Sequence, residues 1–124
     1  MKINESAENY LETIYILSKK NDAVRSIDIA TELGYSKPSV SVAMKHLREN
    51  AYIETDKEGY ITLTNTGQEI AERIFERHYV ITNALISLGV NPKVATDDAC
   101  RIEHVISAES FDAIKKYITE KKET

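Results

Sequence analysis

The order of the elements in the first half of this chain constrains its fold more than any other feature of the sequence. Residues 26–33 have the pattern of a short helix with Ser26 as a plausible cap, and Gly34 provides a left-handed end. A second helix opens at Ser36-Lys37-Pro38, where the serine can cap and a proline is tolerated in the first turn. Two short β-forming runs follow, around a glycine-containing turn. This order predicts a winged helix-turn-helix; a generic α+β domain is the alternative.

Helical periodicity continues on both sides of this segment. Apolar residues recur at spacings of three and four in residues 6–19, 66–88, 93–105 and 108–120. Thr66 and Glu69 have the spacing of a capping box at the start of the long helix. The predicted inward faces carry Ile27, Ala30 and Leu33 on the second helix, and Ile70, Ile74, Ile81, Leu85 and Leu88 on the long helix.

The fold class predicted from these patterns is mainly α. Residues 1–65 form a winged helix-turn-helix with a two-stranded wing, and residues 66–124 form a helical domain. Long apolar helices after a winged helix predict a dimer interface, and a dimer is what a helix-turn-helix needs to read two half-sites.

Composition excludes several classes of protein. The 124 residues include 16 basic and 20 acidic side chains, a net charge of −4, which is unlike a generic nucleic-acid coating protein. Residues 1–50 are neutral, so the whole excess of carboxylates lies in the second half. No apolar run or N-terminal signal region predicts a membrane partner. A single cysteine excludes an internal disulfide framework and is typical of a cytoplasmic protein.

The predicted recognition helix has a polar face that suits double-stranded DNA. Short hydroxyls near its start can bond phosphates or base edges, an apolar group can contact thymine methyls, and basic side chains can contact the backbone. The candidate DNA-binding residues are Ser36, Lys37, Pro38, Ser39, Ser41, Val42, Lys45 and Arg48. An ordinary solvated helix face is the alternative interpretation.

A second set of residues has the character of metal ligands. Cys100, Glu103 and His104 occupy positions i, i+3 and i+4, which is one face of a helix. His78 falls on the apolar stripe of the long helix, where a satisfied structural histidine is the alternative. The first helix adds Asn9 and Glu12 at i and i+3. A thiolate, carboxylates and imidazoles on three helices predict a site for a transition metal.

Four segments carry a resemblance to a known family. They are Glu8–Tyr15, Ser36–Ser41, Arg77-His78 and Ala99–His104. Over about residues 5–118 the chain resembles the diphtheria-toxin-repressor family, which includes the manganese transport regulators. The resemblance implies a cytoplasmic, dimeric transcriptional regulator that binds DNA when it holds Fe(II) or Mn(II), and then represses metal-uptake genes. It implies that the protein is not an enzyme.

The resemblance also implies which residues bind the metal. Manganese-type members use Asp, Glu, His, Glu, Glu and His at the positions of Asn9, Glu12, His78, Cys100, Glu103 and His104. Iron-type members use Met, Cys, Glu and His at the first and the last three of these positions. Glu12 is therefore of the manganese type and Cys100 of the iron type. A thiolate favours Fe(II), Zn(II) or Co(II) over Mn(II). We expect Fe(II) or Mn(II), with Cys100 favouring iron, and binding of Zn(II) or Co(II) in vitro.

Departures from the family pattern keep other interpretations open. Asn9 replaces a ligand, and Thr82 and Thr96 stand at two positions of the iron-type ancillary site. Val42 stands where iron-type members use Gln for base contact. A winged-helix regulator that has lost metal sensing is the main alternative. A structural zinc site is another, and a small metalloenzyme is disfavoured because no His-Glu-x-x-His motif is present. The chain end at Thr124 predicts no SH3-like C-terminal domain.

Overall fold

The computed structural model describes residues 4–123, with side chains to residue 121. These residues form six helices and a two-stranded sheet, which confirms the predicted mainly α fold with a wing. The elements are α1 Glu5–Lys20, α2 Ser26–Leu33, α3 Lys37–Glu49, β1 Ile53–Thr55, β2 Ile61–Leu63, α4 Asn65–Ser87, α5 Pro92–Val105 and α6 Ala108–Glu123. Within the described range, no helix has both the length and the apolar character that crossing a membrane requires.

Two compact units divide the chain inside α4, the first ending at Glu72 and the second beginning at Arg73. The predicted domain limits, 1–65 and 66–124, stay a prediction.

The core of the first unit is built mainly by the apolar faces of α1 and α3. Leu11, Ile14 and Val40 are fully buried, and Met44 and Leu47 are nearly so. Their spacings of three and four put them on single helix faces, as the sequence predicts. The core therefore leaves the opposite face of α3 in solvent.

The helix-turn-helix follows the predicted local signals, with two differences. Gly34 ends α2 at φ 70°, in the left-handed region, and the Ser39 backbone N–H donates to Ser36 Oγ at the start of α3. Ile29 is fully buried, whereas Ile27 is 44% exposed, so the predicted inward position of Ile27 is wrong. The predicted Ser26 cap is also wrong, because α2 begins at Ser26 and the residue before it is the cap.

The wing is a short antiparallel hairpin. Ile53 pairs with Leu63 and Thr55 with Ile61. Ile53 and Ile61 point into the core of the first unit, at 1% and 3% exposure. The turn is held by Asp56, whose carboxylate accepts from the backbone N–H of Glu58 and Tyr60 at 3.0 and 2.9 Å.

The wing is joined to α4 by a tight turn. Thr64 Oγ1 accepts from the Gly67 N–H at 3.2 Å and donates to the Ala51 carbonyl at 2.8 Å. Thr64 therefore caps α4, and the capping box predicted at Thr66 is wrong. Gly67 is buried against the Tyr52 carbonyl, where a Cβ would collide with the backbone. Only glycine fits this first turn.

The second unit contains the later part of α4 with α5 and α6. Ile81, Ala99 and Phe111 form its buried cluster. Asn91 Oδ1 caps α5, and Ser107 Oγ accepts from the Ser110 N–H at the start of α6, as predicted. Leu88 lies beyond the last residue of α4 and is 71% exposed, so its predicted inward position is wrong.

Candidate metal centre and nucleic-acid interface

Three of the predicted ligands meet in the second unit. His78 projects from α4, and Cys100 and Glu103 project from α5. One ligand atom from each lies within 4.8 Å of the other two. His78 Nδ1 is 3.0 Å from Glu103 Oε2 and 3.8 Å from Cys100 Sγ. His78 is therefore part of a polar cluster and is not a simple core histidine.

The carboxyl group of Glu103 is the buried centre of this cluster. Its side chain is 1% exposed, and its second oxygen, Oε1, lies 3.4 Å from His104 Nε2. The His104 side chain is also 1% exposed, whereas that of His78 is 24% exposed. Burial of a carboxyl group is costly unless it is paired or bound to a metal. The arrangement thus concentrates two imidazoles around one buried acid.

The donor set fits a divalent transition metal. Imidazole nitrogen, thiolate sulfur and carboxylate oxygen together suit Fe(II), Co(II) or Zn(II). The three close donors come from two helices, whereas a closed structural zinc site takes four ligands, which are Cys or His. Cys100 is exposed, so the cluster is open on the thiol side.

The remaining predicted ligands lie on α1 in the first unit. Asn9 and Glu12 are half-buried there. Their participation in the metal site stays a prediction. Glu8, next to Asn9, is only 7% exposed, a buried carboxylate that the sequence patterns did not single out. Its position one turn before Glu12 was the available signal.

Arg77 is a second residue whose role the sequence patterns did not indicate. Its guanidinium donates from one nitrogen, Nη1, to the carbonyl oxygens of Glu103 at 3.1 Å and Ile106 at 3.0 Å. The guanidinium carbon lies 5.5 Å from the centroid of the Phe111 ring. Its place in sequence beside His78 was the only available signal.

The predicted DNA-binding face is intact on α3. All eight candidate residues, Ser36, Lys37, Pro38, Ser39, Ser41, Val42, Lys45 and Arg48, are exposed. Ser36 Oγ donates to Ser39 Oγ at 2.9 Å, so both hydroxyls lie together at the helix start. Val42 is 57% exposed, so its side chain lies in solvent on the same face as the hydroxyls. The contact of these residues with DNA stays a prediction.

Two family models match nearly the whole chain. Residues 2–61 match the iron dependent repressor, N-terminal DNA binding domain, and residues 64–124 match the iron dependent repressor, metal binding and dimerisation domain. The chain is also 34% identical over 113 residues to the transcriptional regulator MntR of Escherichia coli O6:H1, a match that covers 91% of this chain and 73% of MntR.

Solved structures support the same relationship. The manganese regulator SloR has a TM-score of 0.81 and 28% identity, covering 96% of this chain and 55% of SloR. A manganese-dependent transcriptional repressor in complex with manganese has a TM-score of 0.83 and 25% identity, covering 91% of this chain and 52% of the repressor. The chain thus spans about half the length of these two proteins. The matches establish that the chain belongs to the iron-dependent repressor family of metal-dependent transcriptional regulators, which includes MntR.

Proposed function

We propose that this protein is a DNA-binding regulator that represses metal-uptake genes when it holds Fe(II) or Mn(II). The observation that carries the proposal is the cluster of His78, Cys100 and Glu103 in a chain that also presents an exposed recognition helix. The family provides the link between such a site and DNA binding. The relatives are transcriptional regulators, which supports our proposal that the protein acts by binding DNA and not by catalysis. We place it in the cytoplasm, where a reducing environment keeps Cys100 as a thiol.

The proposed ligands are the three residues of this cluster and His104, which lies beside Glu103. The sequence pattern adds Asn9 and Glu12 to the proposed set. A divalent cation held there supplies positive charge that stabilises the buried Glu103 carboxylate. His78 and the α5 donors are then held together across the two helices of the second unit. Through this contact between the two helices, metal binding is coupled to DNA binding. A coupling free energy of about 1–3 kcal/mol between the two binding events changes DNA affinity about 5–150-fold.

The thiolate of Cys100 favours Fe(II) over Mn(II), because Mn(II) prefers oxygen and imidazole donors. Cys100→Asp replaces that sulfur with a carboxylate and should shift the ratio of the two affinities towards Mn(II) by about tenfold or more. Anaerobic competition against a fluorescent chelator measures both affinities. Cys100→Ala is the control, since it removes a donor and should weaken both metals. An unchanged Fe(II)/Mn(II) ratio in Cys100→Asp would contradict the role of the thiolate.

We infer that the active species is a homodimer on double-stranded DNA. The second unit leaves large apolar side chains in solvent, with Leu88 and Val105 at 71% and 77% exposure. Exposed apolar side chains of this size in a unit that matches a dimerisation domain support self-association. Two copies would present two α3 helices to half-sites separated by about one helical turn, 10–10.5 base pairs.

Selection from a random duplex DNA pool, under anaerobic conditions, tests the proposed function. The selected duplex should bind about 5–150-fold more tightly with Fe(II) or Mn(II) than with a chelator, because metal occupancy favours the DNA-binding arrangement. Fluorescence anisotropy gives the affinity, and sedimentation should find two chains on each duplex. Equal affinity with and without metal would favour the alternative, a winged-helix regulator that has lost metal sensing.

Two lysine variants, measured on the same duplex, distinguish binding through α3 from general electrostatic attraction to DNA. Lys45→Ala removes one exposed basic group from α3, and Lys116→Ala removes one from α6 as the matched control. Only the first should weaken binding and reduce its salt dependence, by a slope of about 1. Equal losses in both variants would contradict the assignment of α3 to the DNA.

A further inference from the structure

We propose that Arg77 is a positioning residue for the metal site, and this inference rests on the proposed function. It is not a ligand. It holds the final turn of α5, which carries Glu103 and His104, in the position that metal binding requires. Consecutive residues of α4 contact Glu103 at two points: Arg77 bonds its backbone carbonyl and His78 meets its carboxyl group.

The physical reason lies in the end of α5. The last four carbonyls of a helix have no partner within the helix, and its final turn tends to fray. In α5 that turn carries two of the proposed ligands, Glu103 and His104. Arg77 satisfies the Glu103 carbonyl and also the carbonyl of Ile106, the capping residue. Its positive charge also interacts favourably with the negative end of the helix dipole.

Packing restricts the position of this guanidinium. It lies over the ring of Phe111, which is 5% exposed and belongs to the buried cluster of the second unit. Arg77 thus connects α4 and the end of α5 to α6. Because the Phe111 ring restricts the guanidinium, movement of the final turn of α5 would break both hydrogen bonds to Arg77, and these bonds keep the carboxyl group of Glu103 beside His78.

The Nε atom of Arg77 allows the positioning role to be tested separately from a role in stabilising the fold. Among the described residues, its Nε is buried without a hydrogen-bond partner, which is unfavourable for the fold. Arg77→Lys keeps the positive charge and removes this unsatisfied donor, but the lysine side chain is one bond shorter, so its ammonium falls short of the position from which Nη1 donates to both carbonyls. The lysine variant should therefore retain the thermal stability of the apoprotein while losing alignment of the ligands.

The experiment measures binding of Co(II), with the near-ultraviolet thiolate absorption as the signal, on the full chain. We expect Arg77→Lys to weaken Co(II) binding about 10–100-fold, the range found when a residue that orients a ligand is lost. Arg77→Met should weaken it further, and the absorption spectrum of the bound Co(II) should change in both. Arg101→Lys, an exposed arginine on α5, is the matched control and should bind as the wild type does.

The possible outcomes separate this inference from the proposed function. Wild-type affinity in Arg77→Lys, with or without a lower melting temperature, would overturn the positioning role while leaving the metal site intact. Weaker binding at an unchanged melting temperature of the apoprotein would support it. Absence of Co(II) binding in the wild type would overturn the proposed metal site, and this inference with it.

Discussion

Replacement of Glu103 by glutamine should weaken metal binding by at least about 100-fold. Loss of a residue that only orients a metal ligand weakens binding by up to about 100-fold, and Glu103 is itself a proposed ligand. Glu103 is the most buried member of the cluster, at 1% exposure, and its carboxyl oxygens lie near both His78 and His104. The amide has nearly the same volume, so the packing is retained, but the negative charge is lost. Isothermal titration of the anaerobic protein with Fe(II), Mn(II) and Co(II) measures the effect.

Glu109→Gln provides the control for the loss of one negative charge. Glu109 is exposed on α6 in the same unit, so its replacement should leave the affinity for metal unchanged. Glu103→Gln should also bind the selected DNA duplex with the affinity of the apoprotein, whatever metal is added. If Glu103→Gln binds metal as tightly as the wild type does, the cluster is a structural polar network and the alternative without metal sensing becomes the better description.

Gly67→Ala should destabilise the protein by about 2 kcal/mol, within the usual range for inserting a group into a closely packed position. Ordinarily, alanine in place of a helical glycine stabilises a protein by about 1 kcal/mol. Here alanine should instead lower the free energy of unfolding, because a Cβ at Gly67 collides with the backbone carbonyl of Tyr52. The Tyr52 carbonyl is a backbone group that also accepts a hydrogen bond from the Thr64 N–H, so it cannot move aside as a flexible side chain can. Urea unfolding at neutral pH measures the change.

Thr66→Ala is the control for this prediction and tests the start of α4 as well. Thr66 is exposed one residue away, and the capping bond is made by Thr64. Its replacement should change the free energy of unfolding by less than about 0.5 kcal/mol. A more stable Gly67→Ala protein would contradict the close approach of the Tyr52 carbonyl to α4.

Local signals predicted the helices and turns because their causes are local. A glycine at φ 70° and a serine that caps the next helix are effects of neighbouring residues, so Gly34 and Ser36 could be identified by inspection. The face of α3 that stays in solvent followed from its period of 3.6 residues. The same spacing placed Cys100, Glu103 and His104 on one face of α5.

The predictions were wrong where either of two nearby residues could occupy the same structural position. Ile27 and Ile29 are both apolar, and either could face inward until packing of α2 selected Ile29. Thr64 and Thr66 can each cap a helix, and the bond from Thr64 to the Ala51 carbonyl, across 13 residues, decided between them. Such choices depend on contacts that sequence spacing does not encode.

The sequence by itself determined the order of the elements, the exposed face of α3 and the set of metal-binding residue types on α5, because helical periodicity and capping act within a few residues. The sequence placed His78 and Glu103 in one predicted site, but tertiary structure alone decided that the two side chains contact each other directly across 25 positions. It alone decided that Arg77 bonds the carbonyls of Glu103 and Ile106 across 26 and 29. Those contacts arise from packing between helices, where the position of one side chain depends on every neighbour that excludes water from it.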